Sequence, residues 1–150
     1  MPQTGSNSTP LTATSFVVSV DGVDVASFSE LGGINSEVEH VEYISSDKQG
    51  KILHQRLYGK TNPPTVTLKR GMDTNNYMWA WHERVRQGDP TAPTTCQLQL
   101  CGPDRKPKLT YTLENAWPRK VELSAAGAGK SETIIETVTI ICDDIIGQGT

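Results

Sequence analysis

Along most of this chain, apolar and polar positions alternate with a period of two, a rhythm that predicts short β-strands. Phe16, Val18 and Val20 share one face, with Val17 and Ser19 on the other. Asp21-Gly22 then precedes Val23-Asp24-Val25. Asp-Gly between alternating segments predicts a two-residue hairpin, because both residues tolerate the positive φ of the favoured turn. The second strand is expected to reach about Leu31, where Gly32-Gly33 breaks it. Glu37 to Ser45 is strand-like but slips phase: Val38 faces one way, Val41 and Tyr43 the other. A bulge near Glu39-His40 accounts for the slip. Ser46 to Lys51 is a polar connection, and Ile52 to Tyr58 reads as the returning strand. Asn62-Pro63-Pro64 reads as an extended turn. Thr65 to Lys69 is the next strand, with Val66 and Leu68 inward.

One segment departs from this rhythm. Tyr77, Met78, Trp81 and Val85 recur at helical spacing, which predicts a helix over 73–87. Asp73 is its expected N-cap, Arg84 and Arg86 suit the C-terminal dipole, and Gly88 and Pro90 stop it. Such a stripe is read as the core face of a helix that covers a sheet. Alternation then resumes over Thr95–Cys101, Lys108–Leu113 and Trp117–Leu123. Gly127-Ala128-Gly129 is a loop, and Glu132–Cys142 the last strand. There Ile134, Val138, Ile140 and Cys142 share a face with Glu136, while Thr133, Thr137 and Thr139 take the other with Ile135 and Ile141. The predicted fold class is mainly β with one α-helix: an antiparallel β-barrel or sandwich flanked by the helix. Residues 1–14 read as a flexible N-terminal arm, or as a segment that orders on contact with a neighbour, 15–146 as the β-barrel domain and 147–150 as a C-terminal tail.

With 150 residues the chain suits one domain with a real core. A net charge of −3 argues against the concentrated basic patch of a nucleic-acid binder. No apolar run reaches the ~18 residues of a membrane span. The N-terminus lacks a basic start followed by an apolar stretch, so no secretory signal is read there. The three cysteines are expected as buried free thiols. Cys96 and Cys101 should point to opposite faces of one strand about 16 Å apart, too far to bridge.

Catalytic chemistry finds little support. Gly129-Lys130-Ser131 resembles the end of a phosphate loop, but Ser124 stands where the pattern needs glycine, and a strand rather than a helix follows. His82-Glu83 lacks a second histidine four residues on. His40 and His54 stand apart from any such motif. No Gly-x-Ser-x-Gly elbow occurs. The expectation is no enzyme, no cofactor and no metal. Lys69-Arg70, Arg84, Arg86, Arg105-Lys106 and Arg119-Lys120 lie mostly at element ends, whereas Glu37, Glu39, Glu42 and Glu136 lie within strands. That pattern reads as surface solubility or as charge complementarity between copies of one chain.

Several ordered motifs resemble the tail tube proteins of contractile phages and phage-tail-like contractile injection systems. They are Phe16-Val17-Val18-Ser19-Val20-Asp21-Gly22, Phe28-Ser29-Glu30-Leu31-Gly32-Gly33, the Gly59 loop, Val66-Thr67-Leu68-Lys69-Arg70-Gly71 and Trp79-Ala80-Trp81. Asn115-Ala116-Trp117-Pro118-Arg119-Lys120 and Glu132-Thr133-Ile134-Ile135-Glu136-Thr137 complete the set, which covers about residues 15–146, on this resemblance a tail-tube β-barrel domain. The resemblance implies a structural inner-tube protomer whose hexameric rings stack into a hollow tube. Sheath contraction would drive that tube, with its payload, through a target envelope. The implied partners are the chain itself, a contractile sheath protein, baseplate and spike hub proteins, a terminator or cap, and a payload or tape-measure protein in the lumen. The implied location is the bacterial cytoplasm during assembly, then the virion or injection particle, extracellular or retained in the cell.

Edge strands left unpaired invite association, and a ring pairs each edge with the next copy's. On this reading Glu37, Glu39, Thr133, Thr137 and Thr139 are candidates for an acidic, hydroxyl-rich lumen wall. The wider candidate segments are 37–45, 52–58 and 132–142. Ser46, Asp47, Lys48, Gln49 and Lys51 are the candidate inter-ring contact. Tyr77, Met78, Trp81 and Val85 form the helix core face. The alternatives are a type VI secretion-like ring protein and a monomeric β-barrel binding module or hydrolase.

Overall fold

The computed structural model describes residues 10–46, 48–127 and 132–149. Asp47 and the Gly129-Lys130-Ser131 segment, together with Ala128, lie outside the described residues, as do residues 1–9 of the expected arm. The elements run β1 (Ser15–Val20), β2 (Val23–Phe28), β3 (Glu30–Ser46), β4 (Ile52–Gly71), α1 (Tyr77–Arg86), β5 (Thr94–Cys101), β6 (Pro107–Ala126), β7 (Thr133–Ile141) and β8 (Asp144–Gly149).

Two antiparallel layers share one long strand. The first has the order β2-β1-β5-β6-β8, and the second the order β6-β7-β4-β3. The β1–β2 hairpin forms as its sequence predicts: Asp21 and Gly22 both take positive φ, 53° and 77°. Between the layers pack Val18, Phe28, Leu98 and Leu113 from one side and Val66, Leu68, Val138 and Ile140 from the other, all buried. α1 closes the side of this core with Met78 and Trp81 buried and Tyr77 and Val85 half-buried. The Trp81 indole N–H donates to the Ala92 carbonyl at 2.7 Å, and a His82 ring nitrogen donates to the Pro118 carbonyl at 2.8 Å. The helix is therefore pinned to both the turn that follows it and β6.

The structure corrects several sequence expectations. The helix begins at Tyr77 with Asn76 as its N-cap residue, not at Asp73. Asp73 instead accepts the Asn75 backbone N–H at 2.7 Å, and the Asn75 side-chain carbonyl accepts the Tyr77 N–H at 3.0 Å. These local bonds hold the chain in turns, so the helix starts late. β2 ends at Phe28, and Gly32-Gly33 lies inside β3 at a register shift. A Cβ on Gly32 would sit 3.0 Å from the Thr67 methyl, so the glycine permits close approach there rather than ending the strand.

Nor does Asn62-Pro63-Pro64 end a strand; β4 runs through it for 20 residues. The prolines fall where the β3–β4 register shifts, and a bulge tolerates their missing N–H groups. Lys108–Leu113 and Trp117–Leu123 are likewise one strand, β6, bent at Asn115, whose φ is 53°. The expected bulge is present: the β3–β4 register shifts between Val38 and His40. Ile134, expected among the core-facing residues, is 41% exposed near the start of β7. Cys101 is buried, as are Cys96 and Cys142, in keeping with the expected buried thiols. β8 had no clear signal, and residues 147–149, read as tail, pair with β6.

Candidate assembly interface

β3 and β4 are much longer than the layer they belong to. β4 pairs with β7 only from Thr65 onward, so residues 37–46 and 52–62 form a two-stranded ribbon that leaves the body. Its cross-strand pairs include His40 with Tyr58, Val41 with Leu57, Glu42 with Arg56, Tyr43 with Gln55, and Ile44 with His54. Alternation therefore places Val41, Tyr43, Leu53 and Leu57 on one face of the ribbon. The other face carries His40, Glu42, Ile44, His54, Arg56 and Tyr58. A His54 ring nitrogen lies 3.1 Å from a Glu42 carboxylate oxygen.

All of these residues are exposed, Tyr58 at 97%. A two-stranded ribbon is at best marginally stable alone, and a contiguous apolar patch on a surface marks an interaction site. At the base of the ribbon, a Cβ on Gly59 would meet the Glu39 carbonyl at 2.9 Å, so the strands cross too closely there for any side chain. At its tip, Ser46, Lys48, Gln49 and Lys51 are exposed around the turn, with Gly50 at a φ of 83°.

The second layer has two further features that bear on association. The middle of its outer face is polar, with Ile135 and Ile141 at either end: Thr137 stands between Lys69 and Glu122, and Thr139 between Thr67 and Lys120. Glu30 extends the first row beyond Lys69. On this face Glu30 and Glu122 stand against Lys69 and Lys120. Lys120 and Glu122 form an exposed ion pair at 3.1 Å. Glu37, Glu39 and Thr133 are exposed, and Thr137 and Thr139 half-buried. The layer also ends in two free edges among the described residues. β3 pairs only with β4, and residues 117–126 of β6 pair only with β7.

Glu136, read from sequence as one of the acids available at the surface, is completely buried. Its Oε1 accepts from the Arg70 Nε at 2.9 Å, and Arg70 is itself only 5% exposed. The same guanidinium donates to the Asn75 carbonyl, lies 3.6 Å from Asp73 and stacks 5.4 Å from the centre of the Phe28 ring. Sequence reasoning missed this pairing. The usable signal was a glutamate on the same strand face as Val138 and Ile140, which requires a cationic partner inside.

Reactive groups are poorly placed for chemistry. All three cysteines are free and buried. Burial pushes the Cys96 thiol up to about 12 and the Cys142 thiol up to about 11, so both are protonated and weak nucleophiles near neutral pH. Among the described residues no cluster of His, Cys, Asp and Glu could hold a metal ion. A groove of about 550 Å³ runs beside β2, lined by Ser15, Val17, Asp24, Asn75, Cys101 and Arg105 among others. No helix of the described residues is long and apolar enough to cross a membrane.

Comparison with known proteins gives this arrangement a family. The chain aligns end to end with a protein of the sheath-tube complex of an extracellular contractile injection system, PVC, in its extended state. The identity is 18%, all of both chains is covered and the TM-score is 0.74. A chain from the six-fold symmetrised baseplate of the anti-feeding prophage is 21% identical over 95% of this chain and 97% of that one, with a TM-score of 0.70. A type six secretion system protein is more distant, at 14% identity, 90% and 83% coverage and a TM-score of 0.51. No curated protein matches the chain by sequence. The profile of T4-like virus tail tube protein gp19 matches residues 12–145, nearly the whole chain. The chain therefore belongs to the T4-like virus tail tube protein gp19 family.

Proposed function

We propose that this tail tube protomer assembles head to tail into hexameric rings, which stack into the inner tube of a contractile injection particle. One observation carries the reading: among the described residues, the second layer ends in two unpaired edges, β3 on one side and residues 117–126 of β6 on the other. A free edge is a template for another strand. Two different edges on one copy make a heterologous contact, which closes into a ring when the rotation allows. Joined in this way, the second layers of successive copies form one continuous wall. Their polar outer faces, with Thr137 and Thr139 between Lys69, Lys120 and Glu122, line the channel. Thr133, Glu37 and Glu39 lie toward the ends of that wall.

The ribbon supplies the remaining contacts. Its apolar face packs on one neighbouring copy, the face carrying Tyr58 packs on another, and its tip, Ser46 to Lys51, reaches the next ring. The first layer and α1 face outward, toward a contractile sheath. The structural neighbours from a sheath-tube complex and a baseplate support sheath and baseplate proteins as partners, with a terminator or cap at the far end. Residues 1–14 act as an arm that meets a neighbour, and a payload or tape-measure protein occupies the lumen. A tube of this kind works by repetition and needs no turnover. It assembles in the bacterial cytoplasm before serving in the particle. The tail tube match over residues 12–145 favours this reading over a type VI secretion-like ring.

Electron microscopy and sedimentation of the purified chain test it. Rings or rods are expected, with a cysteine placed by T137C accessible to small thiol reagents only through the open ends of the rods. A stable 16.4 kDa monomer at high concentration would overturn the assembly, and complete protection of T137C in short rods would overturn the channel wall.

A further inference from the structure

We infer that the buried Arg70–Glu136 pair selects the register of β4 on β7 and thereby positions the ribbon. The argument begins with the seven residue pairs of this ladder: Thr65–Ile141, Val66–Ile140, Thr67–Thr139, Leu68–Val138, Lys69–Thr137, Arg70–Glu136 and Gly71–Ile135. A slip by one residue would turn every core residue to the other face and is excluded by the hydrophobic pattern. A slip by two preserves that pattern. It would set Val66 against Val138 in one direction, or Leu68 against Ile140 in the other. On the outer face it would exchange one β-branched neighbour for another. Aliphatic and threonine pairs thus discriminate weakly between the three registers.

Arg70 and Glu136 discriminate strongly. Slipped one way, Glu136 faces Leu68 and Arg70 faces Ile134. Slipped the other way, Arg70 faces Val138 and Glu136 faces Met72. Either slip moves the two charges from directly opposite to diagonal positions, about 7–8 Å apart, and so weakens the 2.9 Å contact between two buried charges, which is heavily penalised in a protein interior. Among the described residues, the Glu136 Oε2 accepts no hydrogen bond from a protein group. A buried ion pair gains little net stability over apolar residues of the same size, whereas selection of one register is a role such pairs serve. The same guanidinium holds the Asn75 carbonyl and lies over Phe28, so the correct register also seats the lead-in to α1 and the end of β2.

The consequence reaches the tip of the ribbon. β4 continues unbroken from the ladder into residues 52–62. Sliding it by two residues moves the ribbon by about 6.6 Å along the strand direction. Arg70 and Glu136 are positioning residues for contacts made far from them. Only this last step rests on the proposed tube; the register itself is a property of the single chain.

Disulfide trapping tests the register directly. In the native background, oxidation should crosslink K69C with T137C and leave K69C with T139C, and K69C with I135C, uncrosslinked. In the R70M/E136L background, one of the slipped pairs should also crosslink. The charge-swapped R70E/E136R background should return to the native crosslink alone. The inference is overturned if R70M/E136L crosslinks only in the native register, or if R70E/E136R slips as readily. It is also overturned if R70M/E136L does not fold, since the pair would then hold the fold rather than choose its register. None of these readouts requires assembly, so a chain that forms no tubes still decides the matter. Where tubes form, R70M/E136L should give rods of irregular ring spacing.

Discussion

Replacing Tyr58 by serine separates association from folding. Tyr58 sits on the ribbon opposite His40 and is 97% exposed, so it contributes almost nothing to the isolated fold. An aromatic side chain buries about 150–250 Å² when fully covered. At about 25 cal/mol per Å², complete burial in an assembled particle contributes roughly 4–6 kcal/mol. Ordering the side chain costs about 0.5–1.5 kcal/mol. The net effect is therefore roughly 3 kcal/mol or more per contact, a factor of a hundred or so in association. The Tyr58→Ser chain should melt within about 0.5 kcal/mol of the parent when both are dispersed, as a surface substitution does. Its threshold concentration for forming sedimentable particles should rise about a hundredfold. Pelleting across a concentration series measures the threshold, and thermal unfolding of the dispersed chain measures stability. An unchanged threshold would refute the burial of this ribbon face, and a threshold that moved only in step with the melting temperature would refute the separation.

Two further expectations concern the core. Arg70→Met alone leaves Glu136 buried without its cation, which should cost about 3–5 kcal/mol. For a chain of this size that lowers Tm by roughly 6–20 °C, readable by circular dichroism. The thiols predict an alkaline limit: with Cys96 raised to about 12 and Cys142 to about 11 by burial, the native state holds protons that the unfolded chain releases. Their contribution is complete below the ordinary thiol value and is lost as pH rises from about 9 toward 11–12, at up to about 1.4 kcal/mol per pH unit per thiol. Urea midpoints measured from pH 8 to 11 should fall accordingly, and Cys96→Ala should flatten the slope.

Much of the fold was legible in the sequence. Period-two alternation marked the strands of both layers, Asp21-Gly22 marked its hairpin, and the Tyr77–Val85 stripe marked the helix, because each is a local consequence of side-chain spacing or backbone sterics. The ordered motifs also carried the family. What local pattern could not decide was continuity. Pro63-Pro64 and Asn115 look like strand ends, yet both lie inside long strands, since a bulge or a bend lets the chain continue when pairing on the other side persists. Partnership was equally hidden. Nothing near Glu136 in sequence indicates Arg70, 66 residues away, and only the β4–β7 register brings the two together. The apolar residues of 41–58 read as ordinary strand positions. Tertiary structure alone decided that they stand outside the core, because β4 leaves β7 at the prolines and carries them beyond the two layers formed by the described residues.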